Sequence, residues 1–174
     1  MSYRDRLNAA WYELEANGVY QQVERIVYGI QKAAEYGNLP IFVLGNGGSQ
    51  ATAAHLVLHI RDVKIPAIDA LADNAHLSRM ANDFTYETQP AMTRDLVWPK
   101  ASVFVISGSG NSKNVLNLIK GSRPRAFGLL GNKGGKALTK VDDAIVLSTD
   151  DYSIIEDIHL SLVHMISEGL RGRS

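Results

Sequence analysis

"FVLGNGGSQATAAHLVLHI", residues 42–60, holds the clearest sign of the architecture. It opens as an unbroken apolar run, breaks at Gly45-Asn46-Gly47-Gly48-Ser49, and resumes as a helical segment carrying His55 and His59. An apolar strand that feeds a helix through a glycine turn is half of a βαβ unit, whose strands pair in parallel and are buried on both faces. The turn suits an anion, because helix N-termini expose unpaired N–H groups and glycine lets a ligand approach the backbone. Two histidines four residues apart lie on one side of a helix and suit proton transfer or a metal.

The rest of the chain repeats that grammar. Helices are expected over 3–15 and 19–36, separated by Asn17-Gly18, and Gly37-Asn38-Leu39-Pro40 ends the second of them. Strands are expected at 41–44, 67–70, 102–106, 126–130 and 144–147. Between them come helices at 50–61, 73–82, 88–97, from 112 to about 120, and a short one after 135, and a last helix covers 154–170. Apolar strands alternating with helices indicate an α/β fold with a parallel sheet covered on both sides. No repeat or linker interrupts the pattern, so one domain over 1–174 is expected, with leading helices at about 3–36 and a sheet core at about 40–174.

With 174 residues, 45% of them hydrophobic, the chain has material for a substantial core. Eighteen basic residues balance eighteen acidic ones, so no positive field favours nucleic acid or an anionic membrane. The chain has no cysteine, which removes disulfides, thiolate ligands and a cysteine nucleophile. Neither a signal peptide nor a membrane-spanning run is visible, and a cytoplasmic location is expected. Trp11, Leu14, Val19, Val23, Ile26, Val27 and Ile30 give the leading helices more apolar surface than one side of a sheet requires, so a homo-oligomer is expected.

Three strands run into glycine turns: GNGGS, SGSGNS and GNKGG. Ligands of open parallel sheets bind beyond the carboxyl ends of the strands, so the three turns should share one rim. Ser107, Ser109 and Ser112 add hydroxyl donors to the second turn, which is read as a phosphate site; GNKGG is read as a plain connection. None is a Walker loop or a GxGxxG fingerprint, so no nucleotide cofactor is expected.

At about 100° per residue, Thr52, His55 and His59 share a stripe on an otherwise apolar helix. In the last helix Glu156, Asp157, Ser161, His164, Ser167 and Glu168 fall in one sector, and His159 falls among the apolar residues, as a core or subunit-contact histidine. The bland reading of such polar stripes is satisfied buried side chains; the position of the first stripe, directly after a ligand turn, favours function.

GNGGS, a histidine six residues after its serine, Asn82-Asp83-Phe84, SGSGNS, and the late E-D-I-H-x4-H resemble the phosphoheptose isomerases of the sugar-isomerase (SIS) superfamily. The resemblance implies a three-layer sandwich with a five-stranded parallel sheet, two leading helices, and a homotetramer with shared active sites. It implies conversion of sedoheptulose 7-phosphate to its aldose isomer. Ser107, Ser109 and Ser112 match the family's phosphate-binding serines, Asn46, Ser49 and Asp83 its other substrate contacts, and His164 an acid/base histidine. Relatives bind zinc through positions matching His55, His59, Glu156 and His164, so zinc is expected here.

Four departures accompany the match, one of them that the short segment 61–66 lacks the family's longer basic loop. The family's glutamate base is His59, a glutamine of the last helix is Glu156, and the threonine between the first two loop serines is Gly108. Neutral imidazole can serve as a base near neutral pH, so His59 and His164 are the expected catalytic pair acting through an enediolate. The alternative is a non-catalytic sugar-phosphate-binding SIS protein, or a relative of the branch that binds the replication initiator DnaA.

Overall fold

The computed structural model describes residues 1–35, 37, 39–121 and 124–172. Tyr36 and Asn38, expected to close the second helix and its turn, lie outside the described residues.

The chain opens with α1 (Tyr3–Ala16) and α2 (Val19–Glu35). Ser2 and Asp5 form a capping box at the start of α1, which satisfies two otherwise orphaned backbone donors. The order then runs β1 (Ile41–Leu44), α3 (Gly48–Asp62), β2 (Ala67–Asp69), α4 (Asn74–Asp83), α5 (Gln89–Val97), β3 (Ser102–Ser107), α6 (Lys113–Ile119), β4 (Ala126–Leu130), β5 (Asp143–Val146) and α7 (Tyr152–Leu170). A 3₁₀ segment, Asn132–Lys140, stands between β4 and β5. Asp73 and Asp151 cap α4 and α7 by accepting from the backbone N–H groups of His76 and Ser153.

All five strands pair in parallel, in the order β2-β1-β3-β4-β5. Successive strand residues point to opposite faces, and the core splits accordingly. Ile41, Val43, Phe104, Ile106, Phe127 and Leu129 pack with α1, α2, α3 and α7. Phe42, Leu44, Val103, Val105 and Leu130 pack on the other side with α6 and the 3₁₀ segment. Three layers result.

The strand order matters for function. From β1 the chain leaves through α3 toward β2, and β3, on the other side of β1, leaves through α6 toward β4. Neighbouring strands whose connections depart in opposite directions open a crevice at their carboxyl ends. The GNGGS turn follows β1 and the SGSGNS turn follows β3.

Two expectations about surface are corrected. Leu14, Val19, Val23, Ile26, Val27 and Ile30 do not form spare apolar surface; they are buried in the chain's own core, largely against α7. The leading helices have to cover the long apolar face of α7 as well as the sheet, which the argument from one sheet face left out. Leu58 and Ala51, on the apolar sides of α3 where burial is expected, are exposed, Leu58 at 57%. No helix of the described residues is long and apolar enough to cross a membrane.

Candidate functional site

The crevice between β1 and β3 holds a cleft lined by Asn46 and Ser49 from one turn and by Ser107, Gly108, Ser109 and Ser112 from the other. Tyr152 and Glu156, from the first two turns of α7, complete it. Its volume is about 70 Å³, room for several water-sized groups, the scale of a phosphate rather than of a whole sugar.

The two turns are tied together. Asn46 and Asn114 exchange side-chain amide hydrogen bonds of 3.0 and 2.8 Å, and the Tyr86 hydroxyl donates to Asn46 Oδ1 at 2.6 Å. Gln50 accepts from the Gly45 N–H at 2.9 Å and donates to Asp69 at 2.6 Å, which pins GNGGS to the end of β2. The serine turn is buttressed from β4. Gly131 donates to the Ser107 carbonyl and Ala137 to that of Gly110, both at 2.9 Å. Gly110, at φ +62°, lies so close to the Gly134 backbone that a methyl group there would overlap it. GNKGG therefore scaffolds the serine turn without lining the cleft.

The serine hydroxyls are not equivalent. Ser107 Oγ accepts from the Gly110 N–H at 3.1 Å and Ser109 Oγ from the Asn111 N–H at 3.2 Å. Each hydroxyl proton stays free to donate. Ser112 precedes α6 and makes no side-chain capping bond. Gly108, where the family carries threonine, is explained by Tyr152: a Cβ at Gly108 would stand 2.6 Å from the Tyr152 ring. The ring occupies the missing volume.

From this cleft α3 and α7 run side by side in the same direction. Gly48 meets Glu156 at the cleft, His55 meets His164 farther along, and Asp62 meets Arg171 at the far end. At 1.5 Å per residue, the histidines lie roughly 10 Å along the seam from the cleft.

Three of the four expected metal ligands converge there. His55 Nε2 lies 3.0 Å from His164 Nε2 and 3.0 Å from His59 Nε2. Each ring nitrogen has one lone pair or one proton, so His55 Nε2 cannot satisfy both neighbours by hydrogen bonding. A cation bound to all three would. Ligand nitrogens of a tetrahedral zinc stand about 3.3 Å apart, close to the spacing here, and the donor set suits zinc. Glu156 is not in that group; its carboxylate lies against Gly48 and faces the cleft instead. A fourth position would then be open.

His59 is held on its other side. Arg171 Nη2 stands 3.2 Å from His59 Nδ1 and donates to Asp62 at 2.8 Å. Burial lowers the His59 pKa, with the neighbouring His55, Arg171 and His164 acting in the same sense. Thr52, on the same stripe, donates to the Gly48 carbonyl at 3.3 Å. Asp83 does not reach the cleft: it sits exposed at the end of α4, 3.5 Å from Arg79 and accepting from Asn82. His159 is fully buried. Sequence reasoning did not find Tyr86, Asn114 or Tyr152. Only Tyr152 had a signal, the volume lost at Gly108.

No family model matches the chain. Among curated relatives, the probable phosphoheptose isomerase of Thermoplasma acidophilum is 33% identical over 147 residues, covering 79% of this chain and 80% of that protein. The phosphoheptose isomerase of Pelobacter propionicus is 31% identical over 172 residues, 91% of this chain and 89% of that one. The solved phosphoheptose isomerase of Francisella tularensis has the same fold, with a TM-score of 0.83, 21% identity, and coverage of 99% and 100%. Identity of this order along most of both chains, on a shared five-stranded parallel sheet, means that this chain belongs to the phosphoheptose isomerase family.

Proposed function

We propose that this chain is a phosphosugar aldose–ketose isomerase that acts on sedoheptulose 7-phosphate or a close analogue through an enediolate. One observation carries the reading: a phosphate-sized polar cleft lies at the switch point, at one end of the seam between α3 and α7, and three histidines converge on that seam roughly 10 Å farther along. The cleft lining contains no cation, so Ser107, Ser109 and Ser112 hold the phosphate by hydroxyl and backbone dipoles. Asn46, fixed by Asn114 and Tyr86, and Ser49 contact the sugar. An extended sugar phosphate anchored there projects its carbonyl end along the seam.

His55, His59 and His164 would hold a zinc ion, which supplies a Lewis acid for a substrate oxygen. His164 is the exposed member of the trio and is the one suited to move a proton at the substrate oxygens. His59, with one nitrogen facing Arg171 and the other His55, is better suited to the ligand set than to proton abstraction from carbon. Wild-type protein supplied with zinc should incorporate solvent deuterium into sedoheptulose 7-phosphate at the carbons flanking the carbonyl. Tight binding without any incorporation would overturn the isomerase reading and favour a non-catalytic sugar-phosphate-binding protein.

A homotetramer with shared active sites follows on different grounds from those first expected. Leu58 and Leu96 are 57% and 82% exposed, and Met80, Phe84, Met92 and Leu96 line an apolar groove of about 500 Å³ between α4 and α5. Exposed apolar surface of this kind marks interfaces. Asp83, remote from the cleft of its own chain, would reach substrate only in a neighbouring subunit. Light scattering at micromolar concentration should give four chains per particle; a monomer would defeat the proposal.

A further inference from the structure

We infer, on the zinc reading above, that Asp62 and Arg171 set the tautomer of His59 and thereby the metal occupancy of the three histidines. Asp62 is the positioning residue of the metal-bound state, and Arg171 holds the metal-free one. Asp62 is the last residue of α3 and Arg171 caps the end of α7, so the far end of the seam brings them together. Arg171 Nη2 donates to Asp62 Oδ2 at 2.8 Å and stands 3.2 Å from His59 Nδ1. The same Asp62 oxygen lies 4.0 Å from His59 Nδ1. One ring nitrogen thus has a cation and a carboxylate within reach.

These two neighbours demand opposite tautomers. A guanidinium only donates and keeps its charge. Arg171 therefore bonds Nδ1 only when that nitrogen carries a lone pair, which in a neutral imidazole puts the proton on Nε2. Nε2 is the nitrogen turned to His55, inside the metal-capable group. A ligand histidine needs the reverse, a lone pair on Nε2 and the proton on Nδ1. That proton would face the Arg171 N–H groups, donor against donor, and needs an acceptor instead. A carboxylate is the usual partner of a ligand histidine, and Asp62 is placed to be one. Its oxygen has to approach by about 1 Å to reach hydrogen-bond range. The Asp62 side chain is 58% exposed and three residues from His59 on α3, so it can turn without disturbing the core.

Charge acts in the same sense. A guanidinium beside the trio repels a second cation, and a carboxylate attracts one. By engaging both Nδ1 and Asp62, Arg171 fills the acceptor's place and keeps the acceptor from it. The exchange takes place at His59 Nδ1. The guanidinium leaves, the carboxylate arrives, and the single ring proton passes from Nε2 to Nδ1 through solvent. Neither helix has to move.

The test measures zinc affinity of the full chain, by competition with a chromophoric chelator, for wild type, Arg171→Met, Asp62→Ala and Asp62→Glu. Asp62→Ala should bind zinc about 10- to 100-fold more weakly, the range for loss of a group behind a ligand histidine, and Asp62→Glu should recover part of the loss. Arg171→Met should bind about tenfold more tightly. A merely structural ion pair would weaken binding in both variants, so the opposite signs are diagnostic. Without metal the melting temperatures should nearly match wild type, because an exposed ion pair contributes little to stability. Nitrogen-15 spectra of histidine-labelled wild type should place the His59 proton on Nε2 without metal and on Nδ1 with zinc. Weaker zinc binding by Arg171→Met, unchanged affinity in Asp62→Ala, or a metal-free His59 protonated on Nδ1 alone would each overturn the inference. No zinc binding by wild type or by Arg171→Met would overturn the zinc reading and this one with it.

Discussion

Replacing Ser109 and Ser112 together by alanine is expected to weaken sugar-phosphate binding by about 3–6 kcal/mol, because a hydrogen bond to a charged group contributes about 1.5–3 kcal/mol. The pair is chosen because both hydroxyl protons are free. Ser109 Oγ uses only a lone pair, on the Asn111 N–H, and Ser112 makes no capping bond. Ser107 is left in place because its oxygen holds the Gly110 N–H inside the turn. The loop should keep its shape, since its bracing comes from backbone donors of Gly131 and Ala137 and from the Lys136 N–H to Asn111 Oδ1 at 3.1 Å. Titration calorimetry with sedoheptulose 7-phosphate measures the loss, and the melting temperature without ligand should be nearly unchanged. Unaltered affinity would move the phosphate out of this cleft.

Acidification is expected to cost the fold about 3 kcal/mol through His159 alone, which is 0% exposed and has its pKa lowered by burial to about 4 from 6.5. The nearby Leu130 backbone opposes the shift only weakly, and neither ring nitrogen makes a hydrogen bond of good geometry among the described residues. In the unfolded chain the imidazole takes up a proton below about pH 6.5, whereas the folded chain keeps it neutral down to about pH 4. The unfolded state therefore binds more protons in that window, and stability falls as pH drops through it. Above pH 6.5 the term is fully present. His159→Leu fills similar space without a titrating group, so it should be at least as stable as wild type at pH 7. It should also lack this part of the acid slope in urea titrations between pH 7 and 4. Equal slopes for the two proteins would show that His159 does not carry the acid sensitivity.

Local pattern carried most of the architecture. The five apolar strands were legible because each is a short β-rich run bounded by glycine, proline or a cap, and the structure moves their ends by only a residue or so. The helix at 154–170 begins two residues earlier, at Tyr152, because Asp151 caps it. The phosphate turn was legible because a dense set of glycines and serines after a strand has few other uses. His55 and His59 were paired by helical periodicity alone.

Strands, helices, turn chemistry, and the sides of α3 and α7 that bear polar groups depend on neighbours along the chain and are legible from it. Which sides meet depends on packing between segments far apart in sequence. The parallel packing of α3 on α7 brings His164 to His55 and His59 but leaves Glu156 at Gly48, over the cleft and outside the histidine trio. Periodicity placed Glu156 and His164 on one stripe, yet it could not say what each would face, because eight residues carry the helix about 12 Å past its partner. The same reason applies to Tyr152 filling the space above Gly108, to Asn114 reaching Asn46, and to Asp83 lying away from the cleft. Each is a contact between segments far apart in sequence, whose geometry follows from the order of strands in the sheet and the packing of helices on it.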